Sequence, residues 1–123
     1  MATVELTKDT FKDMITGNDV VLIDFWAPWC GPCKSFAPIY ESASEKHEGV
    51  VFAKVNTEEE QELAASFQIR SIPTLMMFRE QIAIFSQAGM LPESALDELI
   101  GKAKELDMDK VRAEVEAQQA GNA

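Results

Sequence analysis

The sequence predicts an α/β domain in which a mixed central β-sheet is flanked by helices on both faces, with an added helix at the C-terminus. Three observations point there. Two near-continuous apolar runs, Val20 to Phe25 and Val50 to Val55, have the length and β-branched content of strands covered on both faces. Segments of helical periodicity lie before, between and after them. Two further apolar runs, Thr74 to Arg79 and Ile82 to Ala88, are parted only by Glu80-Gln81, the spacing of a hairpin. Strands that alternate with helices, then a hairpin, then a helix make a mixed sheet between two helical layers.

The elements follow in order. Thr7 is a suitable N-cap for a short helix from Lys8 to Thr16, with Phe11, Met14 and Ile15 inward and Gly17-Asn18 as its stop. The strand Val20 to Phe25 carries one carboxylate, Asp24. After Trp26-Ala27-Pro28-Trp29-Cys30-Gly31-Pro32-Cys33, the stretch Lys34 to Glu48 reads as a helix. Pro32 suits its first turn, Pro38 is expected to kink it, and Phe36, Ile39, Tyr40 and Ala43 supply the buried face. Val50 to Val55 is the second interior strand. Asn56-Thr57 should open the next helix, with Glu58, Glu59 and Glu60 in its first turn, where acidic groups complement the helix dipole, and with Leu63, Ala64 and Phe67 inward.

The hairpin turn lacks the glycine that two-residue loops prefer, so a longer or bulged loop is expected and the register stays open. Gly89 ends the strand and Pro92 starts a helix whose stripe is Leu96, Leu99, Ile100, Ala103 and Leu106. The expected domain spans 1–106. The remainder, 107–123, should be one more helix to Ala120, capped by Asp107 or Asp109, with a thin stripe of Met108, Val111 and Val115 and a frayed end.

Composition narrows the function. A chain of 123 residues can bury about two thirds of its unfolded surface, so its core needs no metal or disulfide. Eleven basic against 21 acidic residues, a net charge of −10, would repel nucleic acid and anionic membranes alike. The N-terminus lacks the marks of a secretory signal and no apolar run reaches membrane-spanning length, so a cytoplasmic location is the expectation. In a reducing cytosol, two close cysteines point to catalysis or metal binding. Zinc needs four ligands, and His47, in a polar stretch and expected at the surface, is the one histidine. Met76 and Met77 point to opposite faces of a strand and read as core fillers.

A redox role remains for Cys30 and Cys33, which can interconvert between a small disulfide ring and a dithiol. The thiolate is the attacking species, and a cysteine at a helix N-terminus has its anion favoured by the dipole and free N–H groups. Cys30 holds that place and is assigned as nucleophile; Cys33, a turn deeper and expected to be less exposed, is the resolving thiol. Asp24, a lone carboxylate in an apolar strand, should have a raised pKa and hold or take a proton near neutrality.

The residues Trp29-Cys30-Gly31-Pro32-Cys33-Lys34 closely resemble the active-site signature of thioredoxins. The resemblance extends upstream to Leu22-Ile23-Asp24-Phe25-Trp26 and downstream to Ile69-Arg70-Ser71-Ile72-Pro73-Thr74, and the order of elements from Val4 to Leu106 is similar to that family's. It implies a thioredoxin fold and a protein-disulfide reductase serving electron transport and cell redox homeostasis. It further implies that Asp24 relays the proton of Cys33, that Lys54 pairs with Asp24, and that Ile72-Pro73 is a cis bond facing the disulfide. Trp29, Gly31, Pro32, Ile72, Pro73, Gly89 and Met90 would then meet substrate. The electrons would come from NADPH through a thioredoxin reductase, with no bound cofactor or metal, and the protein would act as a monomer on disulfide-containing proteins. Gly31-Pro32 resembles the reducing members; thioredoxins lie about 90 mV below protein disulfide isomerase, worth roughly 4 kcal/mol for a two-electron couple. The rival readings are a non-enzymatic interaction or chaperone module and a more oxidising isomerase.

Overall fold

The computed structural model describes residues 2–121. Five strands, β1 (Thr3–Glu5), β2 (Val20–Trp26), β3 (Val50–Asn56), β4 (Thr74–Arg79) and β5 (Ile82–Ala88), form one sheet in the order β1-β3-β2-β4-β5. β1, β3 and β2 run parallel; β4 is antiparallel to β2 and β5 to β4. The helices are α1 (Lys8–Thr16), α2 (Gly31–Lys46), α3 (Gln61–Ser66), α4 (Glu93–Glu105) and α5 (Met108–Gly121). This is the mixed sheet with flanking helices that the sequence predicts, and β1 is the one strand the residue pattern did not reveal.

Alternation along β2 sorts the core into two layers. Val20 and Leu22 pack with Phe36, Tyr40 and Ala43 of α2 and Leu96, Ile100 and Ala103 of α4. Val21, Ile23 and Phe25 pack on the other face with Ile15 of α1 and Leu63 of α3. Met77 joins the first layer and Met76 the second, as core fillers. Helix α2 continues through Pro38 to Lys46, and its Tyr40 hydroxyl donates to the Ala53 carbonyl at 2.8 Å, tying helix to β3. His47 is drawn in further than expected. Its side chain is 19% exposed, bonds Asp97 at 2.7 Å and stacks on Phe52.

Three local expectations need correction. Glu58, Glu59 and Glu60 precede α3 instead of forming its first turn. Asn56 Oδ1 accepts the Glu58 N–H at 3.0 Å, and this side-chain-closed turn competes with the helix, which starts only at Gln61. The β4–β5 loop is two residues long: Glu80 and Gln81 both adopt positive φ, 48° and 71°, the sign that a tight type I′ hairpin demands. A bulge does occur, but inside the strands, where Met77 pairs with Phe85 and Phe78 with Ala83, leaving Ile84 over. Finally, Leu106 is 38% exposed at the end of α4 and lies outside the buried stripe.

Tertiary contacts explain why the turn closes without glycine. The Glu80 N–H donates to Asp19 at 2.8 Å, and its carboxylate meets Arg79 and Arg112 of α5. Arg79 also donates to the carbonyls of Ala103 and Leu106, at 2.7 and 3.0 Å, and so caps the end of α4. Asp107 then caps α5, its Oδ1 accepting from the N–H groups of Asp109 and Lys110, and Met108 is buried. The expected fraying covers 118–123. α5 extends to Gly121, and Asn122 and Ala123 lie outside the described residues.

A left-handed conformation disfavours residues with a side chain by roughly 1–2 kcal/mol. Gln81→Gly is therefore expected to raise the unfolding free energy by about 1 kcal/mol, read by urea titration; a loss of stability would contradict the turn geometry.

Candidate active site

The two cysteines sit where β2 passes into α2. The Cys30 N–H bonds the Ala27 carbonyl at 3.2 Å, turning the chain, and Cys30 occupies the N-cap of α2 with Pro32 in the first turn. Its sulfur accepts the Cys33 N–H at 3.2 Å, and its carbonyl accepts from Lys34 at 3.1 Å. Cys30 and Cys33 are joined as a disulfide with their Cα atoms 5.2 Å apart. Once reduced, the same N–H and the positive end of a helix of 16 residues face the Cys30 sulfur, which favours its thiolate. Exposure does not separate the pair, contrary to expectation: Cys30 is 4% and Cys33 3% exposed. What distinguishes Cys30 is its cap position and the loop in front of it.

That loop carries Ile72-Pro73 with a cis peptide bond, as the resemblance implied. The Ile72 carbonyl lies 3.8 Å from Cys30 Sγ. Thr74 Oγ1 closes the loop on the Ser71 carbonyl at 2.6 Å, and the Gly89 N–H holds the Pro73 carbonyl at 2.8 Å, so β5 positions it from the far side. Trp29 stands 65% exposed, and its indole N–H donates to Glu58. Trp29, Ile69, Arg70 and Ile72 line a groove of about 210 Å³. Gly31, Pro32, Gly89 and Met90 are exposed but lie outside that groove.

Asp24 is 1% exposed, and neither carboxylate oxygen has a hydrogen-bond partner among the described residues. Its pKa is pushed up to about 7, chiefly by burial, with Lys54 opposing and Glu5 reinforcing the rise. Leu22 faces α2, and by alternation so does Asp24. Lys54 is its register partner on β3, and the ammonium lies 4.6 Å from the centre of the Trp26 ring. Trp26 thus packs against the motif, and Ile72 with it.

Residues 2–102 match the family model described as Thioredoxin. The chain belongs to the thioredoxin family. It is 59% identical over 119 residues, 97% of its length and 89% of the relative's, to "Putative thioredoxin 2" of Streptomyces coelicolor. It is 40% identical over 103 residues to "Thioredoxin" of Bacillus subtilis, covering 83% of this chain and 98% of that one. Among solved structures it is similar to a mutant thioredoxin from Halobacterium salinarum, with a TM-score of 0.79, 34% identity, and 85% and 92% of the two chains covered. As a thioredoxin with a cysteine pair at disulfide distance, it is a protein-disulfide reductase working by dithiol–disulfide exchange. No helix of the described residues is long and apolar enough to cross a membrane.

Sequence reading missed three contributors. Glu58 was assigned to a helix, so its bond to Trp29 was not visible; Glu5 was hidden because three-residue β1 is too short to show alternation. Tyr40 was placed in the core, but its hydroxyl bond and its nearness to Asp24, which adds to burial in raising the Tyr40 pKa, have no sequence signal.

The raised pKa of Asp24 has a thermodynamic consequence. Folding binds a proton more tightly, so stability is fully present below pH 4 and is lost as pH rises through 7, by up to about 4 kcal/mol. Asp24→Asn should therefore exceed wild type by about 2–4 kcal/mol at pH 8 and match it near pH 4 in urea unfolding. A constant difference at both pH values would refute the buried carboxylate.

Proposed function

We propose that Cys30 is the attacking sulfur, Cys33 the resolving one, and Asp24 the group that takes the proton of Cys33. The observation that carries the assignment is the Cys30 sulfur at the N-cap of α2, accepting the Cys33 N–H. Its thiolate attacks one sulfur of a substrate disulfide; a mixed disulfide forms and the other substrate sulfur leaves as thiolate. Cys33 then gives its proton to Asp24 and attacks Cys30 Sγ, closing the Cys30–Cys33 ring and expelling the second substrate sulfur. The substrate gains two electrons, its two thiolates take one proton given back by Asp24 and one from solvent, and the enzyme is left oxidised. Lys54 stands beside Asp24 and tempers its pKa.

Substrate contact is assigned to Trp29, Gly31, Pro32, Ile72, Pro73, Gly89 and Met90. The backbone N–H and C=O of Ile72 have no backbone partners among the described residues, leaving them open to an extended substrate segment. Side-chain readout is then slight and the range of protein substrates broad. Recharging is assigned to a thioredoxin reductase drawing on NADPH, in a cytoplasmic monomer serving electron transport and redox homeostasis. The catalytic domain is assigned to 1–106 and the appended helix and tail to 107–123. The family match ending at residue 102 supports that division, while the Streptomyces relative covers all but a few residues of the chain.

Reduction of insulin disulfides with a dithiol donor tests the roles. Cys30→Ser should fall to the uncatalysed rate, Cys33→Ser should stall as a mixed disulfide visible by mass, and Asp24→Asn should slow turnover at pH 7 by roughly tenfold or more. An unchanged rate in Asp24→Asn would remove it from the mechanism, and activity in Cys30→Ser would undo the nucleophile assignment.

A further inference from the structure

Three charged side chains stand in one row across the parallel half of the sheet. The register pairs Glu5 of β1 with Lys54 of β3, and Lys54 with Asp24 of β2; the row runs on into β4 as Leu75. Side chains opposite one another in paired strands share a face, and this is the face covered by α2. The neighbouring row confirms it, since Thr3, two residues before Glu5, donates its hydroxyl to Glu41 of α2 at 2.9 Å. Lys54 therefore lies between two carboxylates, one sealed in the core and one on the exposed edge strand. A cavity of about 290 Å³, lined by Glu5, Trp26, Asn56 and Glu59 among others, opens beside Glu5.

We infer that Glu5 is a positioning residue for disulfide reduction, which shares the Lys54 ammonium with Asp24 and thereby keeps the Asp24 carboxyl able to exchange its proton near neutral pH. The inference rests on the proton-accepting role proposed for Asp24. Without Glu5, Asp24 is the only carboxylate in the row that Lys54 can stabilise, and its anion becomes more favoured, so that fewer molecules hold the proton at neutrality. With Glu5 ionised, the attraction is divided, and a second negative charge stands two strand spacings away, about 10 Å. Both effects act against the Asp24 anion, in the direction already noted for Glu5. The Glu5 carboxyl is itself raised by burial and held back by Lys54, so the ammonium is felt at both ends of the row.

The other groups facing Asp24 leave this arrangement intact. From α2 comes the Tyr40 hydroxyl, committed to Ala53; α4 adds Leu96 and Ile100 to that face, and β4 adds Leu75. On the edge side, Glu41 is taken by Ala2 and Thr3, and Glu59 and Glu60 line the same cavity as Glu5.

The test is a carboxyl-carbon NMR titration of Asp24 in the disulfide form, where no thiol titrates. In Glu5→Gln, the Asp24 midpoint should fall by about half a unit to one unit. In Glu5→Asp, which keeps the charge, it should stay within about 0.3 unit of wild type. The acid limb of the pH profile for insulin reduction should move down with the midpoint in Glu5→Gln. In a Lys54→Gln background, the effect of Glu5→Gln should shrink to less than about half. An unmoved midpoint in Glu5→Gln, an equal fall in Glu5→Asp, or a full effect without Lys54 would each overturn the inference. Failure of the Asp24 role itself would show differently, as a midpoint that moves while the rate profile does not.

Discussion

The Cys33 amide aimed at the Cys30 sulfur is the interaction on which the rest of the structure depends. It exists only because α2 begins immediately after Cys30, and α2 begins there because β2 ends at Trp26 and the Ala27–Cys30 turn swings the chain round. Pro32, lacking an N–H, fits the first helical turn at no loss, since that donor has no partner within the helix. The cis Ile72-Pro73 loop, held by Thr74 on one side and Gly89 on the other, sets the wall opposite the sulfur. Sheet and helices thus hold two short loops at a fixed distance.

Asp24 shows a second constraint, one that works against stability. Seven successive residues of β2 make the central strand, and six of them are buried; the carboxylate among them has no hydrogen-bond donor among the described residues. Its anion is tolerated because Lys54 stands one strand away, yet no closer contact neutralises it fully. A tight ion pair would lower the pKa, whereas removal of the lysine would raise it further. The looser arrangement keeps both protonation states within reach.

Much of this was legible in the residues. The interior strands, the helix capped by Thr7 and the pairing of Cys30 with Cys33 follow from apolar runs, caps and spacing, which are local signals. The cis bond at Pro73 came through family resemblance alone, because no local pattern distinguishes it. What stayed hidden was fixed by partners distant in sequence. Glu80 and Gln81 adopt positive φ because Asp19 and Arg112 hold the turn; Glu58 leaves the helix for Asn56 and Trp29; and Glu5 meets Lys54 only through the register of a three-residue strand. The near-equal burial of the two cysteines was likewise beyond a pattern that saw only their order along a helix.

The anchoring of α5 through Arg112, Glu80 and Arg79 gives the molecule two poles. Val20, where β2 starts, pairs with Arg79, whereas Trp26, at its other end, leads to the sulfur pair, so about 20 Å of strand separates them. The helical appendage is therefore mounted on the hemisphere turned away from the reacting atoms.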